Sequence, residues 1–103
     1  MNSPLHDLGH IDLHVAIERL KDGALLIDAR PPAMFAQGHI KGAINLPIEV
    51  LEQHTLEVPA AGVVVYCAKG IRATTATQWF NQNGIVAVNA GAMVDCQPLI
   101  IEL

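Results

Sequence analysis

The sequence predicts an α/β fold, a mostly parallel sheet with helices on both faces, on three observations. Short continuous apolar runs recur along the chain: Ala24 to Asp28, Ala43 to Leu46, Val63 to Tyr66 and Ile85 to Val88. A strand buried on both faces needs apolar residues at consecutive positions, which is the habit of parallel sheets. Segments with helical spacing or helix punctuation stand between those runs. Finally, the chain has 103 residues, 51% of them hydrophobic and only 16% charged. That is enough apolar material for one packed core and too little chain for a second domain, so residues 1–103 read as a single domain.

Each element has a local reason. Asp12 is placed to cap a helix over Leu13 to Lys21, in which Leu13, Ile17 and Leu20 share a face, and Asp22-Gly23 stops it. Pro31-Pro32 turns the chain into a short helix, Ala33 to Gln37, ended by Gly38. Pro47 closes the second strand, and a helix is expected over Ile48 to Gln53 with Ile48 and Leu51 inward. The breaker cluster Pro59 to Gly62 precedes the strongest strand, Val63 to Tyr66, which ends at Cys67. A helix follows from Ala73 to Asn81, with Ala73, Ala76 and Phe80 on one side, until Asn83-Gly84 ends it.

Composition excludes several function classes. Six Lys and Arg against ten Asp and Glu give a net charge of −4, which does not suit a broad nucleic-acid footprint. No apolar run approaches the ~20 residues that cross a bilayer, so no membrane partner is expected. Met1 to Asp7 shows no basic segment followed by an apolar one, and no secretory leader is read there. Two cysteines do not make a disulfide scaffold; Cys67 and Cys96 read as free thiols of a cytoplasmic protein. No cofactor is implied.

In open α/β sheets, ligands bind beyond the carboxyl ends of the strands. The expected topology gathers Asp28 with Arg30, Asn45, and Cys67 with its following loop at that edge. The segment Cys67-Ala68-Lys69-Gly70-Ile71-Arg72 is the most informative in the chain. Cys67 lies where a strand ends and a helix soon begins, so helix N–H groups and the positive end of the helix dipole face its sulfur. Such surroundings stabilise a thiolate, and Lys69 and Arg72 add side-chain charge. Gly70 lets the backbone curl into a cup. The expectation is a nucleophilic sulfur in an anion cradle formed by Ala68, Lys69, Gly70, Ile71 and Arg72.

These residues carry a resemblance to single-domain rhodaneses, the thiosulfate sulfurtransferases, from about Leu25 onward. Its parts, in order, are Leu26-Ile27-Asp28-Ala29-Arg30; Phe35 with Gly38 to Pro47; Val64-Val65-Tyr66-Cys67 with its C-x-x-G-x-R loop; and Asn89-Ala90-Gly91. The phage-shock protein E type is the nearest in form. Gly91-Ala92-Met93-Val94-Asp95-Cys96 stands where the family usually has Gly-Gly and then a Trp. The resemblance implies a three-layer α/β/α fold with a five-stranded, mostly parallel sheet. It also implies a mechanism: the Cys67 thiolate takes the outer sulfur of thiosulfate, sulfite departs, and the resulting persulfide passes its sulfur to cyanide or a cellular thiol. A thioredoxin-like or other sulfur-acceptor protein is the implied partner. Related dual-specificity phosphatases have one more residue between Cys and Arg than the four between Cys67 and Arg72, and no acidic residue stands in the loop as a general acid. Phosphatase is the weaker reading, and 3-mercaptopyruvate the weaker donor because its relatives have a less basic loop. A persulfide carrier with little free turnover, or a thiol sensor using Cys67 and Cys96, are the rival functions.

Other residues have plainer readings. Arg30 and Asp28 are accessory site candidates, with a structural pair bracing neighbouring loops as the favoured alternative. His39 reads as structural, Cys96 as a packing residue, and Trp79 and Phe80 as core or partner-facing. His6, His10 and His14 share the spacing of one helical face, but Gly9 and Asp12 interrupt it and no metal is expected.

Overall fold

The computed structural model describes residues 11–102. The elements are α1 (Leu13–Lys21), β1 (Leu25–Asp28), α2 (Pro32–Gln37), β2 (Ile44–Asn45), a 3-10 helix (Ile48–Gln53), β3 (Val63–Cys67), α3 (Ile71–Gln82), β4 (Ala87–Ala92), a second 3-10 helix (Met93–Asp95) and α4 (Gln97–Glu102). The Asp12 carboxylate accepts the Val15 N–H at 3.0 Å, which is the expected cap of α1.

The described strands form one parallel sheet in the order β2-β1-β3-β4. Strand β3 is buried at all five positions, because successive side chains enter opposite cores. Val63, Val65 and Cys67 join Ile27, Leu51, Ala73, Ala76 and Phe80 on the face covered by α3. Val64 and Tyr66 join Ala16, Leu26, Ala90, Cys96 and Leu99 on the face covered by α1 and α4. With only 4% aromatic residues in the chain, small aliphatic groups make up most of the core under α3, and Phe80 is the largest fully buried side chain there. Burying a side chain of that size stabilises the fold by about 1.5–3 kcal/mol.

The sheet corrects several expectations. Four strands are present among the described residues where the resemblance implied five. Beside the outer edge of β4, the Asp12 N–H donates to Asn89 O at 3.3 Å. The last strand starts at Ala87 rather than Ile85, because the Ile85 N–H is taken by Phe80 O at 2.9 Å in the turn that ends α3. It then continues to Ala92 through a register shift: Val65 pairs with Asn89 but Tyr66 with Gly91, leaving Ala90 as the extra residue of a bulge. The segment Ile48–Gln53 winds as a 3-10 helix, and α3 begins two residues before Ala73. Helix α4 has no counterpart in the sequence reading.

Candidate active site

Cys67 ends β3 at the carboxyl edge of the sheet, and the chain turns sharply through Ala68, Lys69 and Gly70 into α3. Gly70 makes the turn possible: its φ of +97° lies in the left-handed region that disfavours any residue with a Cβ. The turn brings the Gly70 N–H to 2.9 Å from Cys67 Sγ, and the first turn of α3 adds the Ala73 N–H at 3.3 Å. Two backbone donors, one of them from the first turn of α3, therefore converge on one sulfur. Cys67 is buried, yet it opens on a pocket of about 260 Å³ lined by Met34, Ala68, Lys69, Ile71 and Arg72.

Every position of the expected cradle meets this pocket or the sulfur. Ala68, Lys69, Ile71 and Arg72 line the pocket, and Gly70 supplies the nearer N–H. Ile71 and Arg72 belong to the first turn of α3 rather than to a free loop, which fixes their backbone. Ile71 turns its side chain outward and is 74% exposed. Met34 escaped the sequence reading. It sits on α2, the short helix that Pro31-Pro32 swings over the sheet edge, and its only signal was an apolar residue in a segment too short to bury a face.

Asp28 and Arg30 form a separate buried cluster. The Asp28 carboxylate accepts the Arg30 N–H at 2.9 Å, Nε at 3.0 and 3.1 Å, and Nη2 at 2.8 Å. The Tyr66 hydroxyl donates to Asp28 Oδ2 at 2.8 Å and accepts the Ile40 N–H at 3.0 Å. Arg30 Nη2 also donates to Gly38 O at 2.6 Å, and Asn45 Nδ2 reaches the carbonyls of Asp28 and Arg30. Donation to the Asp28 carboxylate holds the Arg30 guanidinium above its ordinary range, outweighing burial. Burial, with donation to Asp28, pushes the Tyr66 phenol far above its own range. Asn45 and Arg30 thus tie the loops after β1 and β2 together, with Arg30 committed to Asp28 and Gly38.

The remaining candidates have their own partners. His39 stacks on Phe35 with ring centroids 3.7 Å apart, and its Nδ1 lies 2.9 Å from Phe35 O. Trp79 meets Phe80 and His54 edge-on. His14 faces Glu18 at 3.5 Å on the exposed side of α1, whereas His6 and His10 lie outside the described residues. Among the described residues, no three His, Cys, Asp or Glu side chains are grouped to hold a metal, and no helix is long and apolar enough to cross a membrane. Cys96 is buried in the core opposite Cys67, its thiol pointing to Ala90 O at 3.4 Å and Ala92 O at 3.3 Å. Burial, with Asp95 and Cys67 nearby, raises that thiol to about 11.

Known proteins share this architecture. The family model for the rhodanese-like domain matches residues 12–96. A sulfurtransferase of Allochromatium vinosum is 36% identical over 80 residues, covering 75% of each chain. Thiosulfate sulfurtransferase PspE of Escherichia coli is 38% identical over 73 residues, covering 67% of this chain and 70% of that one. The solved human single-domain sulfurtransferase TSTD1 superposes with a TM-score of 0.64 at 31% identity, over 79% of this chain and 88% of its own. With its parallel sheet, its buried strand-end cysteine and a family match over most of its length, the chain belongs to the rhodanese-like sulfurtransferase family.

Proposed function

We propose that this protein transfers the sulfane sulfur of thiosulfate to a thiophilic acceptor through a persulfide on Cys67. The observation that carries this reading is the convergence of the Gly70 and Ala73 N–H groups on Cys67 Sγ, in a pocket walled by Lys69 and Arg72. The thiolate attacks the outer sulfur of thiosulfate. The S–S bond of the donor breaks and sulfite leaves with its electron pair, helped by the charges of Arg72 and Lys69. No oxidant is needed, because the sulfane sulfur arrives already at the persulfide level. The terminal sulfur keeps a negative charge, which the same N–H groups satisfy. An acceptor then attacks that sulfur: cyanide leaves as thiocyanate, a thiol leaves as its own persulfide, and the Cys67 thiolate returns. Two displacements at one nucleophile predict ping-pong kinetics.

The Escherichia coli relative's name supports thiosulfate as donor. Two free cysteines agree with a reducing compartment such as the cytoplasm. Incubation with thiosulfate is expected to add the mass of one sulfur atom to the chain, and Cys67→Ser to abolish the addition. An unchanged wild-type mass rejects this reading.

One observation favours a second reading. Ile71 stands 74% exposed at the pocket, beside exposed Lys69, which suits an apolar contact with a docked thiol protein such as a thioredoxin-like acceptor. The chain then acts as a persulfide carrier with slow turnover on small acceptors. Steady-state thiosulfate:cyanide activity separates the two: sustained turnover marks the enzyme, and a single loading event without turnover marks the carrier.

A further inference from the structure

Gly70, the residue that presents its N–H to Cys67, is anchored from the far side of the sheet edge. Asn89, 2% exposed, sits at the bulge of β4, and its Oδ1 accepts the Gly91 N–H at 2.8 Å. That bond leaves the amide one orientation, in which Nδ2 donates to Thr74 Oγ1 at 3.0 Å. The hydroxyl therefore has its own hydrogen free to donate to Gly70 O, at 2.9 Å, where the Thr74 N–H also arrives at 3.0 Å. Gly70 is thus held from both sides: its carbonyl by Thr74, its N–H by the sulfur. The bulge also packs directly behind the turn, since a Cβ built on Gly70 lies 3.8 Å from Gly91 Cα.

We infer that Asn89 and Thr74 are positioning residues for sulfur transfer, aiming the Gly70 N–H at Cys67 through a polarised chain of hydrogen bonds. A hydroxyl bonded back along its own helix is common, and α3 has two others: Thr75 to Ile71 O and Thr77 to Ala73 O. Thr74 differs because a buried side chain from another element fixes the direction of its hydrogen. The hydroxyl and the amide work in series, so either loss loosens the Gly70 carbonyl, on the peptide group that adjoins the one carrying the N–H. The inference rests on the reading of Cys67 as the sulfur carrier.

Thr75 provides the control, since its hydroxyl donates to Ile71 O at 3.3 Å in the same helix without any link to Asn89, and the Ile71 N–H is not one of the two donors to the sulfur. Single-turnover loading by thiosulfate, followed by mass spectrometry, is expected to slow about tenfold in Thr74→Val, to stay within about twofold of wild type in Thr74→Ser, and to be unchanged in Thr75→Val. Thermal melts of all variants separate this from a loss of stability. Asn89→Ala combined with Thr74→Val is expected to be no slower than the slower single variant, as for groups acting in series. If Asn89→Ala does not fold, the Thr74 series decides alone. A Thr74→Val protein that loads at the wild-type rate overturns the inference. If wild type itself takes no sulfur, the thiosulfate reading falls, and the same variants are ranked by alkylation of Cys67 with iodoacetamide at pH 7. The same order of rates then upholds the positioning role, and a Thr74→Val rate equal to or above wild type rejects it.

Discussion

Asp28 and Tyr66 stand opposite each other in the β1–β3 register and share a hydrogen bond of 2.8 Å from phenol to carboxylate. The bond completes the coordination of a carboxylate that is wholly buried and already neutralised by Arg30. Buried ions persist when every lone pair is occupied, and removing one donor costs more than an exposed bond contributes. Tyr66→Phe leaves Asp28 one donor short and the Ile40 N–H without its acceptor. The variant is expected to lose about 1–3 kcal/mol in urea unfolding. Asp28→Ala strands the Arg30 guanidinium, 7% exposed, and is expected to cost about 3–5 kcal/mol. A Tyr66→Phe midpoint equal to wild type shows that the network is dispensable.

The same phenol ties stability to alkaline pH. Burial raises the folded Tyr66 above its ordinary value, so the unfolded chain releases the proton first. For a group raised in this way, the stabilisation is complete below the unfolded value, about pH 10, and is lost as pH climbs towards the folded one. Cys96 behaves likewise at lower pH, between its ordinary 9.0 and the folded value of about 11. Urea midpoints are expected to decline from about pH 9, and more steeply above about pH 10. Tyr66→Phe is expected to keep the first decline and to lack the second.

The two thiols are expected to differ in reactivity. Cys67 opens on the pocket, whereas Cys96 is fully buried and its thiol points to two carbonyls. Iodoacetamide at pH 8 is expected to modify one cysteine in the native protein and both in urea, with peptide mapping assigning the native adduct to Cys67. Native labelling of Cys96 at a comparable rate contradicts this assignment.

Arg72 and Lys69 are expected to contribute unequally to donor binding. Arg72 is half-buried in the first turn of α3, where a charge acts on a dianion through little water; Lys69 is exposed and screened. Arg72→Ala is expected to lower kcat/KM for thiosulfate about 10–100-fold, and Lys69→Ala about 2–5-fold with a stronger salt dependence. Equal losses in both variants contradict the difference in burial.

Much of this was legible in the chain because the informative signals were local. Cys67, Gly70 and Arg72 lie within six residues, and the strand-to-helix turn that unites them is governed by neighbouring sequence. The apolar runs marked β1 and β3 for the same reason. The bulge in β4 was not legible. It depends on how that strand pairs with β3, more than twenty residues away, and nothing in Val88-Asn89-Ala90-Gly91 alone dictates which residue is left unpaired. Asn89 was visible only as part of a family resemblance, since its amide gains meaning when Thr74 is brought beside it. Met34 was hidden likewise: a lone apolar residue on a six-residue helix has no face to declare until the helix is docked.

The division of the core by the sheet has a further consequence, for protection against oxidants. Cys67 and Cys96 are the chain's only cysteines and feed cores on opposite faces of a continuous hydrogen-bonded layer. That layer acts as a bulkhead between them. A Cys67 oxidised to the sulfenic level opens on the pocket while the Cys96 thiol is buried in the other core, so rescue is expected to come from a thiol outside. The protein's lifetime under peroxide should accordingly track the supply of small thiols around it.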